Sequence, residues 1–283
     1  MTSQVEKVQA YRAQDQEKLE RQFLTGTKDE DLGIYCDLFS AKSEIVGQDG
    51  GVVTSLLVNG FREGLFDVAV VVRRMQGYNA EAVIVENETD VLAAKGTSYL
   101  KINVTKTLRE LISQGKKHIA IVCTPCEAKA ARKIQQTIGK DYAITVIGLF
   151  CFEAFNPAKL KEEAKKRFGI DIGKADKTQV RHGKFTAFVE GREVSCKVND
   201  LSGTSEAACR FCDDFTSTLA DVSVGSVGSP DGYSTVVVRS PTGARLVKAA
   251  GLVKSSVERK EIAKLVKFKR ERAKKSFTKL KTP

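Results

Sequence analysis

The sequence predicts an α/β chain, mixed α/β and α+β in character: a single compact body with a mixed, partly parallel sheet and flanking helices. Three observations predict it. Between Ile34 and Phe168 short apolar runs alternate with helical patterns, the rhythm of strand–helix–strand units. From Lys184 that rhythm gives way to residue-by-residue alternation about Gly191-Arg192, which is a hairpin signal. Finally, 283 residues that are 42% hydrophobic supply one large core, which excludes disorder as the general state.

Taken in order, residues 5–24 predict a polar N-terminal helix, closed by Gly26 and a run of acids. Val53–Leu65 reads as a helix, the run from Phe66 as a buried strand and Glu81–Glu86 as a second strand. Thr105–Gln114 follows as a helix, His118–Cys123 as a strand, Glu127–Ile138 as a helix and Ala143–Phe150 as a strand. Pro157, well suited to a first helical position, opens a helix that runs to Phe168. Beyond the hairpin lie a cysteine loop, a short strand near Val222, a glycine-rich turn and the strand Thr235–Arg239. Helical patterns around Gly243–Gly251 and Val257–Lys275 finish the chain. The expected organisation is a polar helical extension over 1–29, a binding body over 30–244 and a basic helical tail over 245–283.

Charge is concentrated in that tail. Residues 245–283 hold 14 basic side chains against Glu258, Glu261 and Glu271, so they carry the whole net charge of +11. A solvated lysine-rich helix and a docking surface for an acidic partner are both open. Aromatic residues make up only 7% and no nucleic-acid module is present, so nothing supports nucleic acid as a partner. No apolar run has the length of a membrane span, and the charged first stretch is no secretory signal. A cytoplasmic protein is expected.

Cysteines carry the chemistry. Cys209 and Cys212 are spaced to reach one metal centre from a single turn. Cys126 follows Pro125 at a strand-to-helix junction, where the helix dipole favours a thiolate. Cys151 ends a strand, and in parallel sheets such ends lie where sites assemble. Four thiolates suit tetrahedral zinc or an iron–sulfur cluster, and zinc would prefer Cys123/Cys126 with Cys209/Cys212. Spacing leaves both open. Cys36 and Cys196 read as core residues.

Three glycine-rich turns offer binding surface. Gln48, Gly50 and Gly51 lead into a helix whose first amides, with Thr54 and Ser55, form an anion site. Lys95, Gly96, Thr97 and Tyr99 place a cation, a hydroxyl and a ring together. Gly225, Ser226, Gly228, Ser229, Asp231 and Gly232 form a turn in which small residues let a flat ligand approach the backbone. His118 reads as structural and His182 as a possible ligand contact, so a catalytic triad is poorly supported.

Six strings then occur in a telling order: Gln48-Asp-Gly-Gly51, Ala94-Lys-Gly-Thr97, Thr124-Pro-Cys126, Phe150-Cys-Phe-Glu153, Cys209-x-x-Cys212 and Ala220-Asp-Val-Ser-Val-Gly-Ser-Val-Gly-Ser-Pro-Asp-Gly232. The chain resembles the beta subunit of the coenzyme F420-reducing hydrogenase and the wider coenzyme F420 hydrogenase/dehydrogenase beta-subunit family, from about residue 30 to 250. The resemblance implies a flavoprotein with FAD, one 4Fe–4S cluster and coenzyme F420 as substrate. It implies Cys126, Cys151, Cys209 and Cys212 as cluster ligands, with FAD along the three glycine turns. The acidic tail of the deazaflavin would then meet Lys101, Arg181, His182 and Lys184. The hydride would pass directly to or from the flavin, with no catalytic side chain required.

Cys123 departs from the family pattern. The resemblance further implies iron–sulfur-containing partners, namely hydrogenase, formate dehydrogenase or heterodisulfide reductase subunits, with the charged ends of the chain as docking elements. Two alternatives stand beside it: a ferredoxin-linked flavin reductase of another conjugated ring, and a non-catalytic zinc-stabilised interaction module.

Overall fold

Local sequence sets most element boundaries, and strand order then decides where a site can form. The computed structural model describes residues 4–280. Helix α1 (Gln4–Phe23) leads into a small antiparallel pair, β1 (Thr27–Asp29) and β2 (Gly33–Tyr35), and then β3 (Asp37–Lys42). Gly51, in the left-handed region at φ 67°, starts α2 (Val52–Arg62). The pair β4 (Val68–Met75) and β5 (Asn79–Val85) follows, then α3 (Glu88–Ala93) and α4 (Val104–Ser113). Asn87 and Asn103 cap these two helices, each side chain accepting from the amide three residues on.

Next come β6 (His118–Cys123), α5 (Pro125–Ile138), β7 (Ala143–Leu149) and α6 (Pro157–Phe168), the last capped by Asn156 and ended by left-handed Gly169. Strands β8 (Ala175–Arg181), β9 (Lys184–Val189) and β10 (Arg192–Lys197) make a separate three-stranded sheet. The chain closes with β11 (Val222–Gly225), β12 (Ser234–Val238), α7 (Pro241–Ala249), β13 (Val253–Ser255) and α8 (Arg259–Lys279).

The main sheet has eight strands in the order β13-β3-β12-β11-β7-β6-β4-β5. Strands β4, β6, β7 and β11 are parallel. Strand β12 is antiparallel to both β11 and β3, so β3 runs with the parallel set. The carboxyl ends of β3, β6, β7 and β11 therefore share one edge. Alternation along β4 divides its side chains between the faces. Ala69 and Val71 join α2 and α7 in one core, whereas Val68 and Val70 join α4 and α5 in the other. The three-stranded sheet packs on α6 around Phe155, Leu160 and Phe185.

Sequence reading passed over β1, β2, β3, β8, β13 and α3, which are short or carry polar residues on an exposed face. Two cysteine expectations are corrected. Cys36 is exposed in the link between β2 and β3, and Cys196 is half-buried at the margin of the α6 cluster. Both apolar settings are one-sided, which periodicity alone does not reveal. The segment from residue 245 also supplies core. Leu246 is buried on α7, and Ile262, Val266, Lys269 and Ala273 form the buried inner stripe of α8. Among the described residues, no helix is long and apolar enough to cross a membrane.

Candidate functional site

The shared edge carries two adjoining features, a thiol centre and the glycine-rich loops that follow β3 and β11. At the thiol centre β6 delivers Thr124-Pro125-Cys126 to the start of α5, and Cys151 lies two residues past β7. Cys209 and Cys212 sit on a tight turn in which the Cys212 amide donates to the Cys209 carbonyl at 3.3 Å. The Cys151 amide donates to Phe215 O at 2.9 Å, and the Ala154 amide donates to Cys209 Sγ at 3.5 Å. The latter is a preformed backbone contact to a ligand-type sulfur. The Cys212 thiol donates to Asp214 O at 3.6 Å.

Cys151 feels the other three sulfurs. Burial pushes the Cys151 thiol up to about 12, with the Lys269 ammonium opposing and Cys212, Cys126 and Cys209 adding to the rise. Burial likewise raises Cys212, again against Lys269. Cys126 is the exposed member. Its sulfur lies 3.3 Å from Thr124 Oγ1 and 3.6 Å from Lys101 Nζ. Lys101 also pairs with Glu127, whose other oxygen accepts from the Thr105 amide at 3.1 Å. Burial would lower the Lys101 ammonium, but Glu127 and Cys126 outweigh it and the net shift is upward.

Both terminal helices grip the cysteine turn, a role the sequence reading did not find. From α1, Arg12 donates to Phe211 O and reaches Asp213, each at 3.3 Å. From α8, Phe277 packs edge-on against Phe211 with centroids 5.1 Å apart. Arg272 pairs with Glu153 at 2.7 Å and donates to Phe152 O at 2.8 Å and Cys209 O at 3.1 Å. Lys269, wholly buried, donates to the Cys151 carbonyl. The readable signal was a lysine on an apolar stripe, since 262, 266, 269 and 273 share one helix face.

Cys123 lies apart from these contacts. It is buried among Ala128, Ala131 and Ile134, and burial raises its thiol strongly. The Cys123/Cys126 pairing that zinc would prefer therefore has one member in the apolar core. Among the described residues, no three His, Cys, Asp or Glu side chains close to the spacing of one metal ion. In a cluster each cysteine binds a different iron, so its sulfurs stand wider apart than those around one ion.

The groove is the space between the loops after β3 and β11, which Arg181 at the end of β8 bridges. Arg181 spans it, pairing with Asp49 at 2.9 Å and Asp231 at 2.7 Å. Burial raises the Asp49 carboxyl, against the pull of Arg181. The Tyr99 hydroxyl accepts from Gln48 at 3.2 Å and from the Val180 amide at 2.9 Å, tying all three segments together. Lys95 donates to Val46 O at 2.9 Å. Thr54, Thr97 and Ser226 are half-buried in these same segments.

Several glycines answer to the chain's own packing. A Cβ on Gly225 would sit 2.3 Å from the Phe150 ring, and one on Gly50 would sit 2.4 Å from Ala41 O. A Cβ on Gly228 would meet Ile262 of α8 at 2.9 Å. Gly96 and Gly232 need positive φ, at 148° and 79°, and a Cβ on Gly232 would meet nothing within 4 Å.

Ser55 is a correction. Its hydroxyl is buried and donates to Ala250 O at 2.9 Å, so it faces the core instead of the helix start. Ser229 is held by Ser40 at 2.7 Å and Thr235 at 2.8 Å. His182 and Lys184 are exposed at the β8–β9 tip, and Lys101 stands at the thiol centre, so Arg181 alone of the four expected deazaflavin contacts spans the groove.

Known proteins resemble this chain over most of its length. Residues 38–109 match the family model described as coenzyme F420 hydrogenase/dehydrogenase, beta subunit N-term, and residues 116–264 match its C-terminus counterpart. The coenzyme F420-dependent sulfite reductase of Methanocaldococcus jannaschii is 35% identical over 85% of this chain, which spans 40% of that relative's length. The coenzyme F420 hydrogenase subunit beta of Methanothermobacter thermautotrophicus is 30% identical over 77% of this chain and 82% of its own. A chain of the F420-reducing NiFe hydrogenase complex from Methanosarcina barkeri superposes with a TM-score of 0.83 at 28% identity, covering 88% of this chain and 94% of that one. These relatives are components of oxidoreductases. The chain belongs to the coenzyme F420 hydrogenase/dehydrogenase beta-subunit family.

Proposed function

We propose that this chain moves electrons between coenzyme F420 and iron–sulfur-containing partner subunits, of hydrogenase type or of the formate dehydrogenase or heterodisulfide reductase kind. In this reading Cys126, Cys151, Cys209 and Cys212 hold one 4Fe–4S cluster and the glycine-lined groove holds FAD. The observation that carries it is the gathering of four thiols from three separate segments at one sheet edge, next to the groove. The bound groups would together supply conversion of a two-electron hydride into single electrons.

The chain's own residues bind and orient. Arg181 ties the two acidic walls of the groove, Tyr99 fixes Gln48 against the hairpin, and the Ala154 amide supplies a donor to Cys209. Cys126, exposed at the start of α5, marks the side from which a partner would draw electrons.

Anaerobically purified protein is expected to contain about four iron and four acid-labile sulfide per chain, with FAD. Cys151→Ser or Cys209→Ser should abolish the iron and retain the flavin. Colourless protein holding zinc would overturn the proposal. Oxidation of reduced coenzyme F420 with a viologen acceptor separates this reading from a ferredoxin-linked reductase of another ring.

A further inference from the structure

We propose that Lys269, seconded by Lys101, sets the charge of the thiol centre and with it the potential at which the centre accepts an electron. The inference rests on the cluster reading above.

Lys269 occupies the inner stripe of α8 between Val266 and Ala273, where the pattern asks for an apolar residue, and it is 1% exposed. A buried ammonium is costly unless it is paired and hydrogen-bonded. Its surroundings are the Cys151 carbonyl, the Cys212 thiol within hydrogen-bonding reach, and Asp214. The Asp214 carboxylate is already shared, because it accepts the Thr218 amide at 3.0 Å and the Thr218 hydroxyl at 3.1 Å. Asp214 also faces the buried Arg239 guanidinium, so one carboxylate stands between two buried cations and negative charge on sulfur would balance the second.

Lys101 touches the opposite member, Cys126, at 3.6 Å. It differs in two ways that weaken its influence: Glu127 neutralises it, and its side chain is 33% exposed. Reduction adds negative charge to a centre that is already anionic, and a fixed cation in contact with its ligands favours that added charge. The effect grows as the local dielectric falls. Lys269 should therefore hold the centre at a higher potential, with Lys101 contributing less.

The test is a redox titration of the anaerobic, full-length holoprotein, followed by electron paramagnetic resonance, with iron, sulfide and FAD measured on the same samples. Lys269→Met is expected to keep wild-type iron and to lower the reduced-to-oxidised ratio at a fixed potential at least tenfold, which is about 59 mV for one electron. Lys269→Arg should stay within about threefold of wild type. Lys101→Met should shift in the same direction by less than tenfold.

A fully loaded Lys269→Met protein with an unchanged midpoint overturns the inference. Should that variant lose its iron, Lys101→Met decides: a negative shift supports the charge account and an unmoved midpoint overturns it. Wild-type protein that takes up neither iron nor sulfide would instead sink the cluster reading itself.

Discussion

The thiol centre and the groove share a sheet edge but are built by opposite means. The thiol centre is fastened by buried or half-buried cations from α8, which take the carbonyls of Cys151, Phe152 and Cys209. The groove is fastened by one guanidinium across two carboxylates, one of them largely exposed at Asp231. Buried charge contacts in low dielectric hold a geometry before any ligand arrives. A solvent-screened pair contributes little and parts readily.

The most damaging change lies beneath both. Asp221 pairs with buried Arg132 at 2.8 Å and accepts the Val146 amide at 2.7 Å, joining α5, β7 and α7. Asp221→Asn should cost roughly 3–5 kcal/mol by leaving a buried cation uncompensated, read by urea unfolding. Equal loosening of both ends in hydrogen exchange is expected, and loosening of one end alone would break the comparison.

Arg272→Met comes next, at about 1.5–3 kcal/mol for charged hydrogen bonds lost. Its exchange signature should be confined to residues 207–212 and leave Gly47–Gly51 unchanged. Arg181→Met should cost less, about 0.2–1 kcal/mol. Its faster exchange should appear at Gly47–Gly51 and Gly225–Gly232, with the cysteine turn protected as before.

The smallest effect concerns the outer fastening of α8. Burial pushes Asp29 up, but the Leu32 and Asp31 amides and the Arg259 guanidinium together hold it below its ordinary value. A carboxyl depressed in the folded state adds stability above its unfolded pKa and loses it as pH falls through the lower folded value. The wild-type melting temperature should therefore fall below about pH 4, and Asp29→Asn should flatten that limb. An identical acid limb in the variant would remove Asp29 from the account.

Particular residues show what was readable. His118–Cys123 and Pro157–Phe168 have the expected bounds because their apolar periodicity and caps are local. Cys126 and Cys151 were readable at strand ends and Cys209 and Cys212 as a pair on one turn, whereas Cys123 and Cys36 were not sortable, because spacing does not report which face of an element is covered. Ser55 was misread for the same reason: a hydroxyl in the first turn of a helix can serve the helix start or the core behind it.

The amino-acid order by itself determined the α/β rhythm, the helix caps, two thiols at strand ends and two on one turn, all of which depend on neighbours a few residues away. The tertiary structure alone decided that α8 crosses to the cysteine turn, that Lys269 is buried against Cys151, and that Arg181 meets Asp49 and Asp231. Those contacts join residues 50 or more positions apart or oppose a charge to its burial cost, and only the packed chain brings the compensating partners within reach.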